Sequence, residues 1–94
     1  MDTPTSFEWD DAKALANEAK HGVSFEAAIY VFLDDNRLDV IDSRQAYGEQ
    51  RRNAIGTVDG ICLTVTYTMR GHICRIISAR RASRKERQCY DDHA

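Results

Sequence analysis

Seven basic residues, Arg70, Arg75, Arg80, Arg81, Arg84, Lys85 and Arg87, fall between residues 70 and 87 against a single acid, Glu86. Guanidinium groups at this density suit a polyanion. They clamp phosphates with paired hydrogen bonds, and they stabilise the extra charge on a five-coordinate phosphorus during strand cleavage. RNA carries its own nucleophile, the 2′-hydroxyl, so a protein that cleaves it need only orient the backbone, accept one proton and donate one. Glu86, His21, Tyr90 and, less suitably, His72 are the side chains available for proton transfer. The overall net charge of -2 conceals a division: residues 1–49 hold 4 Lys/Arg and 11 Asp/Glu, whereas residues 50–94 hold 9 and 4. A partner senses the local field of the basic half rather than the total. The competing reading of this run is a solvated helix face.

Other chemistry lacks its residues. The chain has no P-loop, G-x-G-x-x-G, H-E-x-x-H or G-x-S-x-G motif. Cys62, Cys74 and Cys89 form no C-x-x-C pair, and His21, His72 and His93 are scattered, so neither a metal nor a cofactor is expected. The thiols read as reduced packing residues. At 94 residues the chain is expected to form one domain over residues 1–94 with a small core. No long apolar run predicts a membrane span, and no apolar segment after Met1–Ser6 suggests a secretory signal, so the expected location is the cytoplasm. Residue chemistry leaves three readings open: a nuclease, a phosphate-binding module, or a protein-interaction module.

The elements that must position these groups follow from the apolar pattern. Phe7-Glu8-Trp9 alternates like a short edge strand and leads to Asp10 or Asp11 as a helix cap; Ala12, Leu15, Ala16 and Ala19 then recur at helical spacing up to Gly22. Lys20 and His21 in that last turn also suit the exposed carbonyls of a helix end. Ser24 caps an expected second helix with Phe25, Ala28, Ile29 and Phe32 inward. Leu38–Ile41 reads as a strand, and the polar segment from Asp42 to Glu49 as a mobile loop. Strands are expected over Arg51–Val58, Ile61–Met69 and His72–Ala79, joined by two-residue turns at Asp59-Gly60 and Arg70-Gly71. These turns would pair Val58 with Ile61 and Met69 with His72. One face then carries Ile61, Leu63, Val65, Tyr67, Cys74 and Ile76 as core, and the other Thr64, Thr66, Thr68, Arg51 and Arg75. A bulge would exchange the faces of a strand. Ser83-Arg84-Lys85-Glu86 is a capping box for a final helix, which gives Glu86 a structural role as well as a chemical one. The expected fold class is α+β: two N-terminal helices, an antiparallel meander and a short C-terminal helix.

Three stretches taken together resemble the BrnT toxin family over residues 7–90. They are Phe7-Glu8-Trp9-Asp10; Asn17 with Lys20-His21-Gly22-Val23-Ser24-Phe25-Glu26-Ala27-Ala28; and Arg75 through Ser83 with Glu86, Arg87 and Tyr90. Arg51, five residues before Gly56, and Tyr67-Thr68 fit the same pattern, while Arg52 stands where the family often has an aromatic residue. The resemblance implies a RelE-like fold and a ribonuclease toxin of a type II toxin–antitoxin pair that stops translation and growth. It also implies a cognate ribbon-helix-helix antitoxin, with operator DNA contacted only through that partner. Carried over by position, Arg51, Arg75 and Arg80 are expected to converge on one scissile phosphate, with Glu86 and His21 moving protons. Lys20, Arg81, Arg84, Arg87 and Tyr90 are expected to contact RNA, Arg81 and Arg84 alternatively the acids of an antitoxin. The alternative is a catalytically inactive toxin-like partner that acts in transcriptional autoregulation.

Overall fold

The structure, a computed structural model, describes residues 3–43 and 48–93. Its elements in chain order are β1 (Ser6–Glu8), α1 (Asp11–His21), α2 (Phe25–Ala28) running into a 3-10 helix (Ile29–Leu33), β2 (Leu38–Asp42), β3 (Arg51–Val58), β4 (Ile61–Arg70), β5 (Ile73–Arg81) and α3 (Arg84–His93). The class is α+β as expected, with two corrections. The five-stranded sheet, ordered β1-β5-β4-β3-β2, is mixed, because β1 joins the antiparallel meander in parallel beside β5. One full helix follows β1; the second is a single α turn, capped by Ser24 Oγ accepting from the Ala27 N–H, that tightens into 3-10 geometry. Of its expected inward residues, Phe25, Ala28 and Phe32 are buried and Ile29 is half-buried. Of the expected loop between Asp42 and Glu49, residues 44–47 lie outside the described residues, and Asp42 itself ends β2. Among the described residues no helix is long and apolar enough to cross a membrane.

Helix α1 begins and ends as its sequence predicts but is turned over. Asp10 accepts from the Lys13 N–H at its start, and Gly22, at φ 71°, stops it in the left-handed conformation. The apolar stripe points outward: Ala12, Ala16 and Ala19 are exposed and Leu15 is 71% exposed. Asn17 is buried in its place. Its Nδ2 donates to Val23 O (3.0 Å) and Ala79 O (2.8 Å), and its Oδ1 accepts from the Ala79 N–H (3.1 Å). Beyond Arg75, β5 has no strand on its outer side, and the amide of Asn17 supplies the missing peptide group at that edge. Alanines offer little area to bury, whereas an unpaired buried N–H and two carbonyls would cost about 1–3 kcal/mol each. The polar residue therefore decides the orientation.

The β3–β4 register agrees with the expectation, Val58 opposite Ile61 across a turn in which Asp59 and Gly60 both have positive φ (51° and 79°). The β4–β5 register does not. Arg70 pairs with Ile73 and Met69 with Cys74, so the two-residue turn is Gly71-His72. Only Gly71 (φ 61°) is left-handed there, which is the pattern of a type II′ turn with glycine first rather than second. A shift of two residues preserves the faces, but a bulge then intervenes: Tyr67 pairs with Ile76 while Thr66 pairs with Ser78, leaving Ile77 over. Before the bulge Cys74 and Ile76 point into the core; after it Ala79 does. Arg75 and Arg80 are thereby set on the same face, which plain alternation would forbid.

The core lies between that inner face and the α2/3-10 segment, where Phe25, Ala28, Val31 and Phe32 meet Ala54, Leu63, Val65, Tyr67, Cys74 and Ile76. Phe32 contacts the Tyr67 ring edge-on at 5.0 Å, and Trp9 does the same to Phe25 at 5.8 Å. Gly56 permits the close approach of the 3-10 helix to β3. A Cβ there would stand 3.1 Å from Val31 Cγ1, 3.2 Å from Asp34 Oδ2 and 3.3 Å from Val31 O. Gly56→Ala is expected to destabilise the fold by about 1–3 kcal/mol, read as a lower urea midpoint at unchanged slope. On the other face, α3 covers only one end, through Ile55, Ala82 and Tyr90. Along the remainder of that face Thr64, Thr66 and Thr68 are buried, at 1%, 8% and 2% exposure, among flanking polar side chains.

Candidate functional site

The outer face is a buried ladder of threonines flanked by partly exposed arginines. Thr64, Thr66 and Thr68 of β4 form its centre; Arg75, Ser78 and Arg80 of β5 lie opposite them, and Asn53 and Ile55 of β3 opposite Thr66 and Thr64. The same register continued by one residue sets Arg51 beside Thr68, so Arg51 and Arg75 flank one rung. A cleft of about 180 Å³ opens at this rung, lined by Lys13, Arg51, Thr68, Arg70 and Arg75 together with Asp10 and Glu49. Its lining holds four cations and two acids, and with Glu8 beside Arg75 one positive charge is left over to attract an anion. Glu8, the partner of Arg75 across the parallel pair, accepts from its Nη1 at 2.6 Å and so fixes the guanidinium. Arg70 reaches Glu49 with two hydrogen bonds (3.0 and 3.2 Å), an exposed pair of little net strength that a phosphate can displace.

Arg80 lies four residues further along the ladder, about 13 Å at the rise of a strand. It does not share a rung with Arg51 and Arg75. Its guanidinium forms a fork with Glu86, at 2.6 and 2.9 Å. Glu86 also accepts from the Ser83 N–H (2.7 Å), while Ser83 Oγ accepts from the Glu86 N–H (3.1 Å), completing the capping box. Burial alone would raise the Glu86 carboxyl, but Arg80 and the Ser83 N–H outweigh it and hold the pKa at about 2. The group is ionised at neutral pH, which suits it to holding the Arg80 guanidinium in place. Because the folded pKa lies below the ordinary 4.5, its stabilisation is complete above that value and is lost as pH falls toward about 2. Glu86→Gln is expected to flatten the loss of stability across this window, measured as urea midpoints against pH. Beside the pair, the buried Thr64 hydroxyl adds to the lowering of the Glu86 carboxyl.

The other expected residues divide by position. Lys20 and His21 are exposed in the last turn of α1, one turn beyond Asn17, and since Asn17 is bonded to Ala79 they stand level with the Arg80 end of β5, as Lys13 does with the Arg75 end. Arg81 and Arg84 are exposed at the junction of β5 and α3, and Arg87 donates to Ala82 O (3.1 Å). Tyr90 is not brought to the arginines. It is 8% exposed, and its hydroxyl donates to Asp34 Oδ2 at 2.5 Å. That oxygen also accepts from Thr57 N–H (2.9 Å) and Oγ1 (3.1 Å), so Tyr90 ties α3 to β3 and the 3-10 helix. Burial opposes the ionised form of Asp34, and the bonds from Tyr90 and Thr57 overcome it, holding the carboxyl below its usual range. Glu8 and Lys13 are not evident as site residues from the sequence, and Arg70 is evident only as part of the basic run; the helical spacing of Lys13 from Asn17 is the available signal. Cys62 and Cys74 point to opposite faces, and burial pushes the Cys74 thiol up to about 12. No three His, Cys, Asp or Glu side chains gather among the described residues.

A small mixed sheet, with the α2/3-10 segment on its inner face and α3 over one end of an outer face that carries an arginine-flanked threonine ladder, defines a module whose charge suits a phosphate backbone. The chain belongs to the BrnT family of ribonuclease toxins of type II toxin–antitoxin systems, whose sequence profile matches residues 9–86. A search of curated proteins finds no match to the chain.

Proposed function

We propose that this protein is a cytoplasmic endoribonuclease that arrests translation and growth by cleaving RNA without a metal ion. A cognate ribbon-helix-helix antitoxin neutralises it and carries the pair to operator DNA. The observation that supports the reading best is the β5 bulge, which turns Arg75 and Arg80 to the same outer face as the threonine ladder. Arg51 and Arg75 hold the scissile phosphate at one rung, and Lys20, His21 and Arg80 meet the backbone further along. The 2′-oxygen attacks phosphorus, the bond to the 5′-oxygen breaks, and the products are a 2′,3′-cyclic phosphate and a 5′-hydroxyl. The arginines carry the charge of the five-coordinate state. His21 and Glu86 belong to the Arg80 end, about 13 Å from this rung, so the proton of the 2′-hydroxyl passes to the leaving 5′-oxygen through water.

The alternative, a silent partner that serves only autoregulation, has one observation in its favour. Arg70, Arg75 and Arg80 each already hold a carboxylate of their own chain. Incubation of the purified chain with RNA in excess chelator separates the two. Cleavage with 2′,3′-cyclic phosphate ends is expected; cleavage abolished by the chelator would reject the metal-free mechanism, and intact RNA in both conditions would favour the silent partner.

A further inference from the structure

A second cavity, of about 390 Å³, opens on the inner face at the same end of the sheet as the arginine cleft. Phe32, Arg37, Asp39, Arg52, Met69 and His72 are among its lining residues. Its polar floor is prepared. Asp39 accepts from Arg52 Nε at 2.6 Å and from the Tyr67 hydroxyl, and Arg37 is anchored through Nη1 to Phe32 O at 3.0 Å. Two bonds leave lone pairs on the carboxylate, and Arg52, a quarter exposed, has further donors beyond Nε. A fixed acceptor and a fixed donor therefore stand side by side. Met69 is 42% exposed, and with the exposed His72 it offers a soft and planar rim. Such a combination fits a flat heterocycle with a hydrogen-bonding edge, the chemistry of a nucleobase held by stacking and edge contacts.

The cavity is continuous with the cleft. A groove around the sheet end is lined by Glu49, Gln50, Arg52, Thr68 and Met69; it shares Glu49 and Thr68 with the cleft, and Arg52 and Met69 with the cavity. Arg51 and Arg52 are consecutive residues of one strand, their Cα atoms about 3.8 Å apart, and alternation sends one to each site. We propose that the cavity is a nucleobase-binding subsite that takes the base of a nucleotide next to the phosphate held between Arg51 and Arg75. This rests on the ribonuclease reading above, to which it adds a means of choosing where RNA is cut.

The test is a titration of the isotope-labelled full chain, followed by amide NMR, with inorganic phosphate and separately with each of the four ribonucleoside monophosphates. Phosphate is expected to move the amides of Arg51, Thr68 and Arg75 only. At least one monophosphate is expected to move Met69, Gly71 and His72 as well. The double variant Met69→Ala, His72→Ala should then weaken that monophosphate about tenfold while leaving phosphate binding and neutralisation by the antitoxin unchanged. Monophosphates that move only the cleft amides would overturn the subsite and leave the cleft intact. Loss of neutralisation with unaltered nucleotide binding would give the cavity to the antitoxin and likewise overturn it. If neither phosphate nor any nucleotide moves the cleft amides, and the chain leaves RNA uncut, the ribonuclease reading fails and the subsite with it.

Discussion

Arg75→Ala is expected to lower the single-turnover rate of RNA cleavage by about 100-fold or more, the usual cost of one transition-state donor. The side chain is held in place before substrate arrives: Glu8, at the same level of the parallel neighbour strand, takes one of its hydrogen bonds at 2.6 Å. The Arg75 side chain is about a quarter exposed and its ion pair with Glu8 is partly solvated, so the loss of stability read by urea denaturation should be about 1 kcal/mol or less. Arg51→Ala on the same rung is expected to act similarly. The pair of substitutions together should cost less than the product of the two, because both act on one phosphate. Arg70→Ala removes an exposed pair with Glu49 and should alter the rate only a few-fold. Wild-type cleavage in both Arg51→Ala and Arg75→Ala would remove the cleft from the mechanism.

The second large effect is on stability. Asn17→Ala should cost about 3 kcal/mol or more, since it strands the N–H and C=O of the fully buried Ala79 and the carbonyl of Val23. Asn17→Asp keeps an acceptor for the Ala79 N–H but sets a charge against two carbonyl oxygens, and it should do no better. Equilibrium urea denaturation reads both. A cost below about 1 kcal/mol for Asn17→Ala would mean that the β5 edge finds another partner. Because Ala79 lies between the bulge and Arg80, partial unfolding of this edge should reduce cleavage even where the cleft residues are unchanged.

The caps, the strands and the arginine-rich half were legible because each rests on local chemistry. Asp10, Ser24 and the Ser83/Glu86 box all form the bonds their residue types predict. The turns show where local reading stops. Arg70-Gly71 and Gly71-His72 both satisfy the need for one glycine, and only the choice between its first and second position sets the register. The bulge at Ile77 carries no sequence signal of its own, yet it decides that Arg80 faces the ladder. Helix α1 misleads for a different reason: its apolar periodicity is made of alanines and one leucine, and a single asparagine with three long-range bonds outweighs it. Tyr90 lies one turn from Glu86, a spacing that fits a shared site, but a helix packed on one flank sends the two side chains to different partners, Asp34 and Arg80.

The most direct test of the whole reading is induced expression of the chain alone and together with the antitoxin, with growth and total RNA followed in both cultures. Growth arrest accompanied by RNA cleavage, both reversed by the antitoxin and both absent in Arg75→Ala, is the predicted result. Normal growth with intact RNA, while the wild-type chain accumulates in folded form, would contradict it.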